Sequence, residues 1–512
     1  MSDKKIYRSI FSVSFILVIA KIIGFYRQIF LAQEFGATIT TDLINMSNNF
    51  VCGVVSIFSS TAATAIVATY VKISDKDKTK GDRLISDILK IVAVGGCLLV
   101  AVFVLAAPLL SRLLAPSYSD ELSSALTFYL RVQSPLLLLF CFSCVFDGLL
   151  NSHKIFVPGQ LASIFYSAFS ILAVVFLKDV LGPDTIVVGF VSYAVVFVLF
   201  MAVYSGRFWK PVKGDPLKNP DVIGLFKIVA PLALGYAMIA GNQLVDRIIV
   251  SGMDEGVLTS MTYAVSLVQL IVGLIEACCT VLFSHITAGI AANDEKGVAS
   301  IALDAMTVII FILLPVSVIT VMCSQDICQV AFGRGEFDAV AVRNTGIALM
   351  GYGFMFVPYA VKTLFSRFCY GHQDTRRPMI NAAIAIAINI ILSISLSSFW
   401  GVLGVTVATS IAEVAAAALN MRSSQKHSKH VKYKTILIKL PYWLLGGVLC
   451  VIAVKVTGGI MAEKRTFLRL IVSAGAGFAG YIVGVMPWIF KNRSLITTLF
   501  KRRGNREGSD GL

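Results

Sequence analysis

Two basic residues, Lys21 and Arg27, lie in KIIGFYRQIFLAQEFGATITTD (Lys21 to Asp42), a stretch otherwise apolar enough for lipid. A cation at that depth is costly unless it faces a partner or a wet cavity, so each reads as part of a site. The chain offers the arrangement twice. Gly36 follows Arg27 by nine residues, and in VDRIIVSGMDEG Gly256 follows Arg247 by nine. Arg presents a planar fork to phosphate and Lys a point charge, so the candidate ligand is an anion. The candidate cavity set is Lys21, Arg27, Asp42, Arg247, Glu276 and Lys362, with Glu276 and Lys362 able to neutralise each other across the cavity. Asp246 directly precedes Arg247, and neighbours on a helix do not face each other, so the two need not pair. Glu413, nine residues before Arg422, reads as packing or interfacial.

These residues need helices that cross a bilayer. Hydrophobic residues make up 57% of the chain and charged ones 14%, against about a quarter charged in soluble domains. The fold class is an all-α polytopic membrane protein. Fourteen apolar runs are each long enough to span about 30 Å of hydrocarbon; only SSFWG separates the eleventh, 379–397, from the twelfth, 399–421. The net charge of +15 does not mark a nucleic-acid binder, because the cations gather in alternate loops. Lys72, Lys76, Lys78, Lys80 and Arg83 follow the second run, Arg207, Lys210, Lys213 and Lys218 the sixth, and Lys426, Lys429, Lys432 and Lys434 the twelfth. This bias places those loops and both termini in the cytoplasm, beside anionic headgroups. The first run lacks a small-residue cleavage site and should remain as a span. The ten cysteines fall almost wholly within spans with no histidine beside them, as small buried hydrophobes do.

The order of the runs repeats. LLNSHKIFVP closes the fourth and FCYGHQDTRRP the tenth, with His153 and His372 separated by the offset that separates Arg27 and Arg247, within one residue. That supports two six-helix lobes with two helices appended. The boundaries read as 1–208 for the N-terminal lobe, 209–221 for a Pro- and Lys-rich linker, 222–422 for the C-terminal lobe, 423–490 for the last two spans and 491–512 for a basic tail. The second span is rich in small polar residues, among them Asn45, Asn48, Asn49, Ser56, Ser59 and Thr61. Close helix packing and a cavity wall both account for it.

No GxxxxGK[ST] phosphate loop, HExxH or aspartate-rich motif occurs, so an ATP-driven pump or a hydrolase lacks its parts, and no nucleotide cofactor is expected. Nothing resembles a channel's filter. Transport driven by an ion gradient, the membrane potential or the substrate's own gradient remains. The basic cavity suits a lipid-linked pyrophosphate whose polar head crosses while its tail stays in the bilayer.

GFYRQIFLAQEFGATITTD (Gly24 to Asp42), GLLNSHKIFVP (Gly148 to Pro158), LVDRIIVSGMDEGVLTSMTYA (Leu244 to Ala264), FGRGEFDA (Phe332 to Ala339) and YGHQDTRRP (Tyr370 to Pro378) together resemble the MurJ/MviN lipid II flippases of the multidrug/oligosaccharidyl-lipid/polysaccharide exporter superfamily. The resemblance implies two lobes around a cationic cavity, a groove for the polyprenyl tail formed by the last two helices, and alternating access in the bacterial inner membrane. It implies lipid II as leading cargo, peptidoglycan synthesis as its purpose, and other cell-envelope synthesis proteins as partners. An O-antigen or exopolysaccharide carrier flippase, a multidrug exporter and a non-transporting scaffold of an envelope-glycan complex are the alternatives. Arg27, Asp42 and Arg247 match the family pattern. The family's Pro-Asn-x-x-Arg and Glu-Gly of the second span are missing from SNNFVCGVVSIFSST, Lys21 replaces an arginine, and Ser266 stands where Tyr-Ala-x-Arg-Leu would put another. A sodium site described for part of the family maps to Asp246, Asn389, Val405 and Thr409, with Ser393 where a carboxylate belongs. Coupling to sodium or to protons is left open by these residues.

Overall fold

The computed structural model describes residues 3–491. The basic stretch after Lys491 lies outside the described residues, as do the side chains of the basic N-terminal tail. Every regular element among the described residues is helical. The first are α1 (Asp3–Phe35), α2 (Ile39–Ser74), α3 (Lys78–Leu114), α4 (Asp120–Gln133), α5 (Pro135–Ser152), the single turn α6 (Val157–Gln160), α7 (Ala162–Leu181) and α8 (Thr185–Ser205). After the linker come α9 (Pro220–Ser251), α10 (Val257–Ala291), α11 (Glu295–Met322), α12 (Ser324–Phe332), α13 (Ala339–Gly353), α14 (Phe356–Gly371), α15 (Arg376–Trp400) and α16 (Val402–His427). The last are α17 (Lys434–Leu437), α18 (Leu440–Ile460) and α19 (Thr466–Lys491). Among the described residues ten stretches can cross a membrane by length and composition, or eleven with α13 and α14, which meet at 45°. One of the ten, Val157–Ser205, holds both α7 and α8, and the total is compatible with the fourteen runs of the sequence.

Local chemistry sets the ends. Thr38 and Thr41 form a reciprocal box at the start of α2, the Thr41 hydroxyl accepting from Thr38 N at 2.8 Å. Asp77 caps α3 through Thr79 N at 2.9 Å, and Pro135 opens α5, where its missing N–H costs nothing. The eleventh and twelfth runs part at Gly401, in the left-handed region at φ +55°.

The backbone repeats its unusual conformations at the offset of the sequence motifs. Six of the eight left-handed residues among the described residues fall into three pairs, Gly36 and Gly256, Lys154 and Gln373, Gly182 and Gly401, each 219 or 220 residues apart, while Asn293 and Gly335 have no counterpart at that offset. Lys154 and Gln373 directly follow the two motif histidines. Non-glycine residues avoid this region, so its recurrence at matching turns marks the same local build in both halves.

Two compact units emerge, and neither is one continuous stretch. The first comprises Met1–Leu267, Phe332–Asn344 and Ile390–Val405. In it α2 packs against α3, α4, α5 and α9, over a core that includes Ile66, Leu84, Ile85 and Leu149. The linker is strapped to α3. Val212 N donates to Ser86 Oγ at 2.9 Å, Lys90 Nζ to Gly214 O at 2.8 Å, and Asn219 Nδ2 to the fully buried Asp87 at 2.9 Å. The second unit comprises Val268–Ala331, Thr345–Asn389 and Thr406–Leu512. There α18 and α19 pair closely and lie on α11, putting Trp443 and Tyr481 in one buried cluster with Phe365 and Phe368.

His153, at the turn after α5, sits between the Tyr70 and Phe208 rings, with Nε2 3.3 Å from the Tyr70 hydroxyl. Burial, reinforced by the Lys78 ammonium, lowers its pKa from the ordinary value, with Asp82 opposing. A histidine held neutral in the folded state contributes stability above its unfolded pKa that is lost as pH falls through that value toward the folded one. Thermal unfolding followed from about pH 7.5 to 5 is expected to show an acid-side loss that His153→Phe reduces; an unchanged pH profile in the variant would refute this.

Candidate functional site

In the first unit Arg27 is 8% exposed, with its guanidinium 4.0 Å above the ring of Tyr166 on α7. An arginine over an aromatic face is attracted by the ring quadrupole, most strongly when dry. No carboxylate lies within ion-pairing distance among the described residues, and Nε donates to nothing. Tyr166 in turn packs on Phe190 and Tyr193 of α8, at 4.9 and 5.3 Å between centroids. From there an aromatic column runs through Phe197, Phe200 and Tyr204 to Phe208. Tyr166 was not among the candidates. Its signal is the spacing of the α8 aromatics by three and four residues, which lines one helix face.

Lys21 is exposed and has no ion-pair partner among the described residues. Six residues before Arg27, it points about 120° away from it around α1, so the helix does not bring these two cations together. Arg247 is half-buried and donates to Gln243 O of its own helix at 3.4 Å.

Asp42 is engaged elsewhere. Its two oxygens accept from Gly256 N at 2.8 Å and Thr259 N at 2.7 Å, across the start of α10. The exchange is mutual, because Glu255 Oε1 accepts from Ile39 N at the start of α2, at 2.8 Å. Asn45 adds a bond from Nδ2 to Thr259 Oγ1 at 3.0 Å. Each helix thus has at least one N-terminal amide satisfied by a carboxylate beside the other's first turn, which also suits both helix dipoles. The turns close tightly around this junction. A Cβ on Gly36 would meet Glu336 O at 2.4 Å, and one on Gly256 would meet Ala37 O at 2.3 Å.

Asp246 accepts from the hydroxyl of Ser393 at 2.9 Å, and both are buried. Of the other mapped sodium ligands, Val405 belongs to the first unit and Asn389 and Thr409 to the second. Sodium is a hard cation that needs several oxygen donors. The first unit supplies one carboxylate here, already bonded to a hydroxyl where the pattern wants a second, and no cluster of three His, Cys, Asp or Glu side chains fit for a metal occurs among the described residues.

In the second unit Glu276 and Lys362 do not neutralise each other. Lys362 pairs with Glu413 of α16 at 2.8 Å and lies 4.3 Å over the Tyr359 ring. Glu276 accepts from the Tyr359 hydroxyl at 2.8 Å and forms an ion pair with Arg367, which also donates to Thr280 at 2.7 Å. The register of α14 decides this: Tyr359 and Arg367 reach α10, while Lys362 reaches α16. Glu413 is therefore an ion-pair partner rather than simple packing. Breaking one side of a shielded pair strands the other charge. Lys362→Met and Glu413→Gln are each expected to cost on the order of 3 kcal/mol, with the double variant recovering much of it. Unfolding in detergent measures this, and additive losses would dismiss the coupling.

The polar residues of α2 divide. Ser56 and Thr61 donate to carbonyls of their own helix, Gly53 O and Ile57 O, both at 2.7 Å, whereas Asn45 reaches α10. Ser266, at the position of the missing family arginine, donates to Tyr263 O of its own helix at 2.6 Å.

A family model described as "Lipid II flippase MurJ" matches residues 31–473. Among curated relatives, a "Probable lipid II flippase MurJ" of Rhizobium meliloti (strain 1021) is 24% identical over 409 residues, covering 77% of this chain and 76% of its own. Its counterpart in Rhizobium tropici is 27% identical over 406 residues, covering 77% and 76%. Among solved structures, "Lipid II flippase MurJ, inward closed conformation" superposes with a TM-score of 0.81 at 22% identity, over 95% of this chain and 100% of that one, and shows the shared fold.

Proposed function

The chain belongs to the lipid II flippase MurJ family, and from that premise we propose that it moves a polyprenyl-pyrophosphate-linked glycan, with lipid II the leading cargo, across the bacterial inner membrane. The carrying observation is Arg27, a guanidinium withdrawn from solvent onto Tyr166 with no carboxylate among the described residues to neutralise it. An unneutralised cation in a spanning helix is tolerated where it serves an anionic partner. The pyrophosphate is that partner, and the sugar head follows it.

The reading takes the two repeated halves as lobes that alternately open the cavity to either side, with α18 and α19 beside the polyprenyl tail and the basic loops in the cytoplasm. The sequence carries no phosphate-loop motif, so the cycle is read as gradient-driven rather than ATP-driven, with coupling to sodium or to protons left open. Ser266, bonded to its own backbone in place of an arginine, favours a second reading in which the head group is a different lipid-linked glycan.

Complementation of cells depleted of their lipid II flippase tests the assignment. Rescue of growth, with labelled lipid II reaching the outer face, is the expected result. A well-expressed, inserted chain that fails to rescue would move the assignment to another lipid-linked glycan or to a non-transporting scaffold.

A further inference from the structure

A second basic feature lies away from Arg27, at the end of the first unit that bears the basic loops. Between the α2–α3 turn and the first turn of α9 there is a cavity of about 450 Å³, lined by Lys72, Lys76, Lys80, Asp77, Asp221 and Gly224 among others. None of the three ammonium groups is ion-paired among the described residues, and neither carboxylate is held by a lysine there. Asp77 is turned to the N-terminus of α3, accepting from Thr79 N and Lys80 N. Deeper along the same two helices is an apolar cavity of about 100 Å³, with Phe58 and Ile66 of α2, Leu225 and Val229 of α9, and Cys144 of α5 on its walls. A basic hollow at the ends of α2 and α9 with an apolar one next to it along the same helices matches an amphiphile. Basic pockets between spanning helices take anionic lipid headgroups.

We propose that the cavity at Lys72, Lys76 and Lys80 binds the phosphate headgroup of an anionic phospholipid, with the first carbons of its chains directed toward the apolar cavity beside it. The phosphate sits among the three ammonium groups as a charge-assisted acceptor. The bound lipid joins the α2–α3 turn to the start of α9, where Asn219 already ties the linker to Asp87.

The test uses the full chain in nanodiscs of phosphatidylcholine with increasing phosphatidylglycerol, reading bound phosphatidylglycerol by native mass spectrometry. Lys72→Gln with Lys76→Gln and Lys80→Gln is expected to weaken retention by about tenfold, three lysines each contributing appreciably near an anionic surface. Lys429→Gln with Lys432→Gln and Lys434→Gln removes the same charge from another exposed basic loop and is expected to leave retention unchanged. Gly224→Leu changes no charge; an added Cβ there meets nothing within 4 Å, so the side chain has room to start into the cavity that Gly224 lines and is expected to lower retention as well. Equal losses from both lysine triples, or full retention in Gly224→Leu, would overturn the site in favour of diffuse surface charge. Displacement of phosphatidylglycerol by millimolar glycerol phosphate would overturn the lipid in favour of a soluble phosphate ester.

Discussion

Arg27→Ala is expected to abolish rescue in flippase-depleted cells while the chain still inserts at near wild-type level and unfolds at an equal or higher temperature. Both halves follow from the geometry. A guanidinium held in a spanning helix without a carboxylate is paid for in desolvation, so its removal relieves the fold. The same removal takes from the cargo a charge-assisted contact worth about 3 kcal/mol, or about a hundredfold in affinity. Arg27→Lys keeps the charge but loses the planar fork and its stacking on Tyr166, and should rescue partially. A role in packing alone gives a different pattern: Arg27→Ala would lose unfolding temperature and activity together, and Arg27→Lys would restore neither. Rescue assays read beside detergent unfolding curves separate the two cases.

Gly256→Ala is expected to lower stability on the order of 3 kcal/mol and to reduce the yield of folded protein. Its φ of +78° strains any L-residue, and the new Cβ would stand 2.3 Å from Ala37 O, which is backbone and cannot rotate away. Relief requires the start of α10 to move off Asp42, breaking bonds to Gly256 N and Thr259 N. Gly235→Ala is the internal comparison. It lies within α9 with nothing inside 4 Å of an added Cβ, and alanine there should be neutral or stabilising by up to about 1 kcal/mol. Equal unfolding temperatures for the two variants would show that the junction yields without cost.

What the sequence made legible follows from which forces act locally. The all-helical class is written in the apolar runs, because a bilayer forces backbone bonds to close within the segment. Arg27 and Arg247 stood out because cations are rare in such runs. The repeat was visible at His153 and His372, and the backbone carries it to the residue after each, Lys154 and Gln373. Partners were less legible. Tyr166 lies far along the chain from Arg27, and only the packing of α1 on α7 brings it under the guanidinium. The pairing of Glu276 with Lys362 failed because charge alone does not fix helix rotation. Arg367, about one helix turn and a half beyond Lys362, takes Glu276, and Glu413 takes Lys362. Asp42 read as a cavity residue by its match to a motif, yet both its oxygens hold the backbone of α10.

The mutual capping of α2 and α10 also determines what genetics can detect. One half of each bond is a main-chain amide, at Ile39, Gly256 or Thr259, and no side-chain replacement deletes it. A saturation scan would register the junction as isolated sensitive positions, chiefly Asp42, Glu255 and the two tight-turn glycines, with tolerant neighbours between them. Deuterium uptake would draw the same junction as three slow amides that exchange together whenever the two helix starts separate, timing that separation in the unmodified chain.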